Sequence, residues 1–188
     1  MSNAGKGSAS QTTERMQTLG APGLTLEPLL VAHADAMFPV LADARLYEYL
    51  DDPPPPSVEH LRHVYARLER RLSPDGAQQW LNWVLRLDNG ELIGFVQATV
   101  VAPERAWIAY LLASKHWGRG HARSATAAMI NHLIGVHGCT EFLATVEAEN
   151  RRSVALLETL NFCPATAAEL DAHDLTASER LYIRRVGR

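Results

Sequence analysis

Apolar and polar side chains alternate from Trp80 to Leu87, and the apolar-rich runs from Leu92 to Val101 and from Arg105 to Leu112 read as a returning strand and a third adjacent one. A period of two is the mark of a half-buried strand. Asp88-Asn89-Gly90 between the first two runs is a hairpin turn signal, and Pro103-Glu104 turns the chain into the third. A short alternating run, Leu24-Thr25-Leu26-Glu27-Pro28-Leu29, predicts an earlier strand ended by proline. From Val31 to about Leu50 the alanine- and leucine-rich pattern predicts a helix, with a kink or break at Pro39. The tract Pro53-Pro54-Pro55-Pro56 is extended, because each proline disfavours helix in the residue before it. Ser57 then caps a second helix whose apolar face is Val58, Leu61, Val64, Leu68 and Leu72. Ala122, Thr126, Met129 and Leu133 mark a third helix, Thr140 to Val146 a strand, and Ser153 to Leu160 a short helix. A loop-rich tail from Cys163 holds a last strand around Arg180-Leu181-Tyr182-Ile183. The order β-α-α-β-β-β-α-β-α-β, with no internal repeat, predicts one mixed α/β domain.

Residues 1–22, beginning Met1-Ser2-Asn3-Ala4 and rich in Gly and Ser, read as a flexible lead or cloning remnant, leaving 23–188 as the domain. The 188 residues carry 18 basic and 21 acidic side chains, a net charge of −3. That balance argues against general nucleic-acid binding. No apolar run approaches the roughly 20 residues of a membrane span. Cys139 and Cys163 show no metal-like spacing and read as two buried thiols of a reduced, cytoplasmic protein.

The candidate chemistry lies in His116-Trp117-Gly118-Arg119-Gly120-His121-Ala122, between the third long strand and the third helix. Glycines let backbone N–H groups approach a ligand together, and the helix adds its unpaired first-turn N–H groups. Such a junction is an anion site, with phosphate the expected anion. A Walker A loop is excluded, since Gly-Lys-Ser/Thr is absent, and the Gly-x-Gly-x-x-Gly dinucleotide spacing breaks at its third glycine.

The run from Ala109 through Leu111, Leu112, Ala113, Trp117, Gly118, Arg119, Gly120, His121 and Ala122 resembles the acetyl-CoA signature of the GNAT N-acetyltransferases. Glu149-Asn150-Arg151-Arg152-Ser153, continuing to Leu157-Glu158-Thr159-Leu160-Asn161-Phe162, resembles that family's second motif. The chain is most similar to the branch that includes the ribosomal-protein N-terminal acetyltransferases. This resemblance implies a mostly antiparallel sheet splayed at the acetyl-CoA site, helices on both faces, and no metal. It implies that the backbone of Leu111, Leu112 and Ala113 binds the pantetheine arm and the acetyl carbonyl. The loop from Trp117 through Arg123 and Ser124 would hold the pyrophosphate, with Asn150 and Ser153 at the pantetheine. Arg119, Arg123 and Arg152 are candidates for phosphate pairing.

Transfer to an amine needs a route for the amine's proton and a proton for the departing thiolate. Trp107 stands where many relatives carry a carboxylate, so Glu147 and Glu149 at the end of the following strand are the base candidates. Tyr182 and Tyr110 are the candidate proton donors. Asn150 also suits a helix N-cap, and Asn161 replaces a glycine at a helix end where a left-handed residue is needed. His60 and His63 lack a third ligand and read as a solvated face. Trp80 and Trp83 fall on opposite faces of one strand. The expected partners are acetyl-CoA and a primary amine, either a protein N-terminus or a small molecule, in a monomer or homodimer. The acceptor wall is expected from the two N-terminal helices, the proline tract and the C-terminal strand. The competing expectation is an acyl-CoA-binding module without turnover.

Overall fold

The computed structural model describes residues 16–102 and 104–187. Its strands are β1 (Leu19–Ala21), β2 (Leu24–Pro28), β3 (Gln79–Leu87), β4 (Leu92–Ala102), β5 (Arg105–Leu112), β6 (Glu141–Glu147), β7 (Cys163–Pro164) and β8 (Glu179–Arg185). They form one open sheet in the order β1-β2-β3-β4-β5-β6-β8-β7. Every neighbouring pair is antiparallel except β5 with β6. The helices are α1 (Ala34–Leu41), α2 (Val58–Leu68), α3 (His121–His137), α4 (Arg151–Thr159) and α5 (Ala167–Leu170).

The alternation along each strand sends side chains to two separate cores. On one face Leu81, Trp83, Leu85 and Phe142 pack with Ala125, Met129, Ile130 and Leu133 of α3 and Leu157 of α4. On the other, Val84 and Leu92 pack with Met37 and Leu41 of α1 and Leu61 and Tyr65 of α2. A smaller cluster of Leu143, Leu181 and Ile183 shares that second face with Trp107. This is the mixed α/β domain that the pattern predicted, with the mostly antiparallel sheet and helices on both faces that the resemblance implied.

Four local readings change. Part of the expected flexible lead is structured. Pro22-Gly23, with Gly23 at φ 74°, turns β1 back on β2. Trp83 also donates its indole N–H to Gln17 O at 2.9 Å. The expected helix to Leu50 stops at Leu41, with Pro39 inside its last turn. Asp43 then accepts from Arg45 N–H and opens a 3-10 turn over Ala44–Tyr47. Leu72 lies beyond the end of α2 and bridges to Gln79. Cys163 is exposed, because β7 is a two-residue edge strand, while Cys139 is buried. The remainder of the lead, residues 1–15, and Pro103 lie outside the described residues; Glu104 makes the β4–β5 turn at φ 75°.

Candidate active site

β5 and β6 share only three residue pairs, Arg105 with Glu141, Ala106 with Phe142 and Trp107 with Leu143. Past Trp107 the strands separate. β5 stays registered on β4 as far as Leu112 opposite Gly94. The end of β5 is held tightly there. A Cβ on Gly94 would lie 2.1 Å from Leu111 O and 2.8 Å from Leu112 Cα, so only glycine lets the strands approach this closely. A bulge at Ile93 precedes this contact, since Leu85 faces Gly94 while Arg86 faces Leu92.

The gap opens into a cleft of about 640 Å³, within the usual range for small-molecule sites. β5 lines it from Ile108 to Leu112, and β6 from Ala144 to Glu147. The loop and α3 contribute His116, Trp117, Gly118, Gly120, His121, Ala122 and Arg123; Asn150, Arg152, Ser153 and the buried side of α4 close the other wall. Ala113, Arg119, Ser124, Glu149 and Tyr182 do not line it.

Amide direction alternates along a strand. Ala113 N–H donates to Ile93 O at 2.8 Å, so it is not free for a ligand as the sequence reading expected. By alternation Leu111 N–H also faces β4, and Leu112 N–H faces the gap. Leu112 O accepts the indole N–H of Trp117 at 2.8 Å. Of the three expected backbone donors, Leu112 alone points into the cleft.

Gly118 and Gly120 take φ 74° and 81°, and a Cβ on either would meet no atom within 4 Å. α3 starts at Gly120 with no side-chain cap, and its first helical bond is Ser124 N–H to Gly120 O. The N–H groups of His121, Ala122 and Arg123 therefore have no acceptor among the described residues. All three residues line the cleft. Unpaired donors at the positive end of a 17-residue helix make an anion cradle. His121 is held below its ordinary pKa by burial, then by His116 and Arg119, and is neutral at pH 7.

Across the gap, Tyr110 of β5 and Ser153 of α4 share a hydroxyl–hydroxyl bond of 2.6 Å. Burial pushes the Tyr110 hydroxyl up to about 12, the Ser153 contact acting the other way. Asn150 caps α4 by accepting Ser153 N–H at 3.1 Å, as the N-cap reading predicted. Asn161 closes the helix end at φ 61°, in the left-handed region. Tyr182 sits in the α3–α4 core at 6% exposure, away from the cleft. Burial raises its pKa. The two base candidates also separate: Glu147 is half-buried on the wall, and Glu149 is exposed outside it.

Of the regions expected to wall the acceptor, only the end of the first expected helix borders the cleft, and α2 does not. Arg45, Leu46, Tyr49 and Leu50 line the cleft, while neither the proline tract nor β8 does. This segment is tied at both ends. Ser114 donates its hydroxyl to Asp43, and Asp43 also accepts both Arg45 Nε at 2.9 Å and Arg45 Nη2 at 3.0 Å. These bonds hold the Asp43 carboxyl well below its ordinary pKa. At the other end Glu48 lies 3.7 Å from Arg152, whose guanidinium stacks 3.8 Å above the Trp117 ring. The Asp43 turn was the available signal, since an Asx residue that bonds a backbone amide competes with helix.

Among the described residues no group of three or more His, Cys, Asp or Glu could hold a metal. No helix among them is long and apolar enough to cross a membrane.

Comparison with known proteins agrees with this geometry. Residues 23–163 match the acetyltransferase (GNAT) domain family. An uncharacterized N-acetyltransferase, p20 of Bacillus licheniformis, is 28% identical over 149 residues, covering 78% of this chain and 83% of that protein. The fold matches RimL, a ribosomal L7/L12 alpha-N-protein acetyltransferase solved with coenzyme A, at TM-score 0.73 and 20% identity over 90% of this chain and 98% of that one. It also matches Mycobacterium smegmatis RimJ, solved with a CoA disulfide, at TM-score 0.71 and 22% identity over 89% and 85%. With three quarters of its length inside the family match and the split β5–β6 seam beside an uncapped helix, this chain belongs to the GNAT acetyltransferases, as an enzyme of the N-acetyltransferase class.

Proposed function

We propose that the protein transfers an acetyl group from acetyl-CoA to a primary amine, a protein N-terminus or a small-molecule amine, with both substrates bound at once. The observation that carries this reading is the continuity of one cleft from the uncapped start of α3 to the Tyr110–Ser153 pair. Pyrophosphate would rest on the N–H groups of His121, Ala122 and Arg123 beside Gly118 and Gly120, with Arg123 adding charge. The pantetheine arm would follow the parted edge of β5 toward Asn150 and Ser153. Bound there, acetyl-CoA supplies an activated acetyl thioester.

The protein's own part is small. Leu112 N–H offers a hydrogen bond where carbonyl charge grows. Glu147, at the open end of β6, takes the proton released by the amine. Tyr110 stays protonated through neutral pH and, with Ser153, donates toward the departing sulfur. The segment from Arg45 to Leu50 walls the acceptor side, with Leu50 half exposed at 50%. We place the enzyme in the cytoplasm, in keeping with its two free cysteines.

The test is thiol release from acetyl-CoA over a panel of amines and N-terminal peptides, with calorimetric binding of coenzyme A measured in parallel. Turnover with at least one amine supports the assignment. Tight binding without thiol release from any amine would show an acyl-CoA-binding module instead. Glu147→Gln should lower kcat by about 10²-fold or more, the usual worth of a general base, while Glu149→Gln keeps the wild-type rate.

A further inference from the structure

A second recess lies at the other end of the sheet, lined by Arg67, Arg70, Leu72, Ser73, Pro74, Asp75, Gly76 and Trp80, with a volume of about 660 Å³. Trp80 pairs with Thr99, and Thr99 with Trp107, at the end of β5 where the strands are still joined. At about 3.3 Å per residue, this row lies about 16 Å from Leu112. The recess is separate from the transfer cleft.

Its charges are unspent. Neither Arg67 nor Arg70 makes a side-chain hydrogen bond or ion pair among the described residues. Arg71, next in the chain, has a buried Nε with no acceptor. The C-terminal end of α2 favours cations, which accounts for one arginine near Leu68. It does not account for two guanidiniums, three residues apart, lining the same recess as an indole. The acidic neighbours already hold hydrogen-bond partners, although Asp75 itself lines the recess. Glu69 accepts Val31 N–H at 2.9 Å, and Asp75 accepts the Ser73 hydroxyl and Ala77 N–H.

The walls are already formed. Trp80 N–H donates to Arg71 O, Ser73 N–H to Gln78 O, and Gly76 N–H to Ser73 O, each at 2.9 Å. The indole N–H of Trp80 donates to Gln78 Oε1 at 3.2 Å, which fixes the ring. A half-buried aromatic face beside two unpaired guanidiniums recognises a planar ring that carries a dianion. We propose that this recess binds a nucleoside monophosphate, with the base against Trp80 and the phosphate on Arg67 and Arg70.

The test uses the full chain saturated with coenzyme A, so that the transfer cleft is closed to nucleotides. AMP, GMP, CMP, UMP and inorganic phosphate are titrated separately by calorimetry. At least one nucleotide should bind at one site per chain with a dissociation constant below about 1 mM, and more tightly than inorganic phosphate. The double change Arg67→Gln with Arg70→Gln should weaken that binding about tenfold or more, with thermal melting and acetyl transfer unchanged. Trp80→Leu should weaken the nucleotide and leave inorganic phosphate as it was. The proposal is overturned if no nucleotide binds under coenzyme A saturation. It is equally overturned if binding ignores the arginine change, or if phosphate alone binds as tightly.

Discussion

Replacing Gly94 by alanine should damage both the fold and the donor site, through a single methyl group. The added Cβ would meet Leu111 O at 2.1 Å and Leu112 Cα at 2.8 Å, both backbone atoms that no rotamer change can move. Gly94 also sits at φ 153°, which L-residues rarely adopt. β4 and β5 must part by about 1 Å, at an overpacking cost of about 1–3 kcal/mol, and the dihedral strain adds about 1–3 kcal/mol. A loss of roughly 2–6 kcal/mol is a large share of the 5–15 kcal/mol that holds a typical domain. At about 2–4 °C per kcal/mol for this chain length, melting should fall by on the order of 5–20 °C. The displaced end of β5 carries Leu112 N–H, and a shift of about 1 Å in a positioning group costs on the order of 10²-fold in rate. Differential scanning fluorimetry and thiol-release kinetics on the same preparation read both effects. Gly135→Ala is the control, since its new Cβ meets nothing within 4 Å and sits inside α3. It should stabilise by up to about 1 kcal/mol. If Gly94→Ala melts and turns over like wild type, the end of β5 is not held as described and its role in placing the donor fails.

Other positions give sharper readouts of single steps. Gly120→Ala meets no protein atom, so it should cost about 1 kcal/mol of stability for its φ of 81° and yet raise the KM for acetyl-CoA several-fold; an unchanged KM would remove the loop from the coenzyme site. Tyr110→Phe should lower kcat by about 10–10²-fold. Because the Tyr110 pKa is raised to about 12, its contribution to stability is complete below pH 10 and fades only as the pH rises through 12. A wild-type rate that fell between pH 8 and 10, and did so only with Tyr110 present, would contradict this. His121 has a lowered pKa, so its contribution is complete above about pH 6.5 and is lost as the pH falls through the folded value. Anionic coenzyme beside it should raise that pKa, and binding at pH 6 should take up protons, visible as calorimetric heats that differ between buffers of different ionisation enthalpy.

The sheet was legible wherever burial imposes a strict period. Trp83 packs in the α3–α4 core and, three residues away in the same strand, Trp80 falls on the opposite face, and Asp88-Asn89-Gly90 turns β3 into β4. The loop at Gly118 and Gly120 was legible because left-handed backbone favours glycine there. Direction along a strand is another matter. That Ala113 N–H is spent on Ile93 depends on the β4–β5 register, which leaves no mark on the residues themselves. The break that shapes the wall from Arg45 to Leu50 was hidden for a similar reason. Leucines and alanines there continue a helical composition, and the break is a local competition that Asp43 wins through Arg45 and a distant Ser114. Gly94 could have been noticed, as glycine inside a strand pattern marks a bulge or a close approach.

The three-pair seam between β5 and β6 has a consequence for the molecule as a solid. The sheet is two plates, β1 through β5 and β6 through β7, welded along one short edge and braced by helices α3 and α4. A long, thin molecule lying in the open part of that joint touches both plates along its length and acts as a rivet. The backbone hydrogen bonds absent from the joint are a weakness in the empty protein and the seat of its strength when filled.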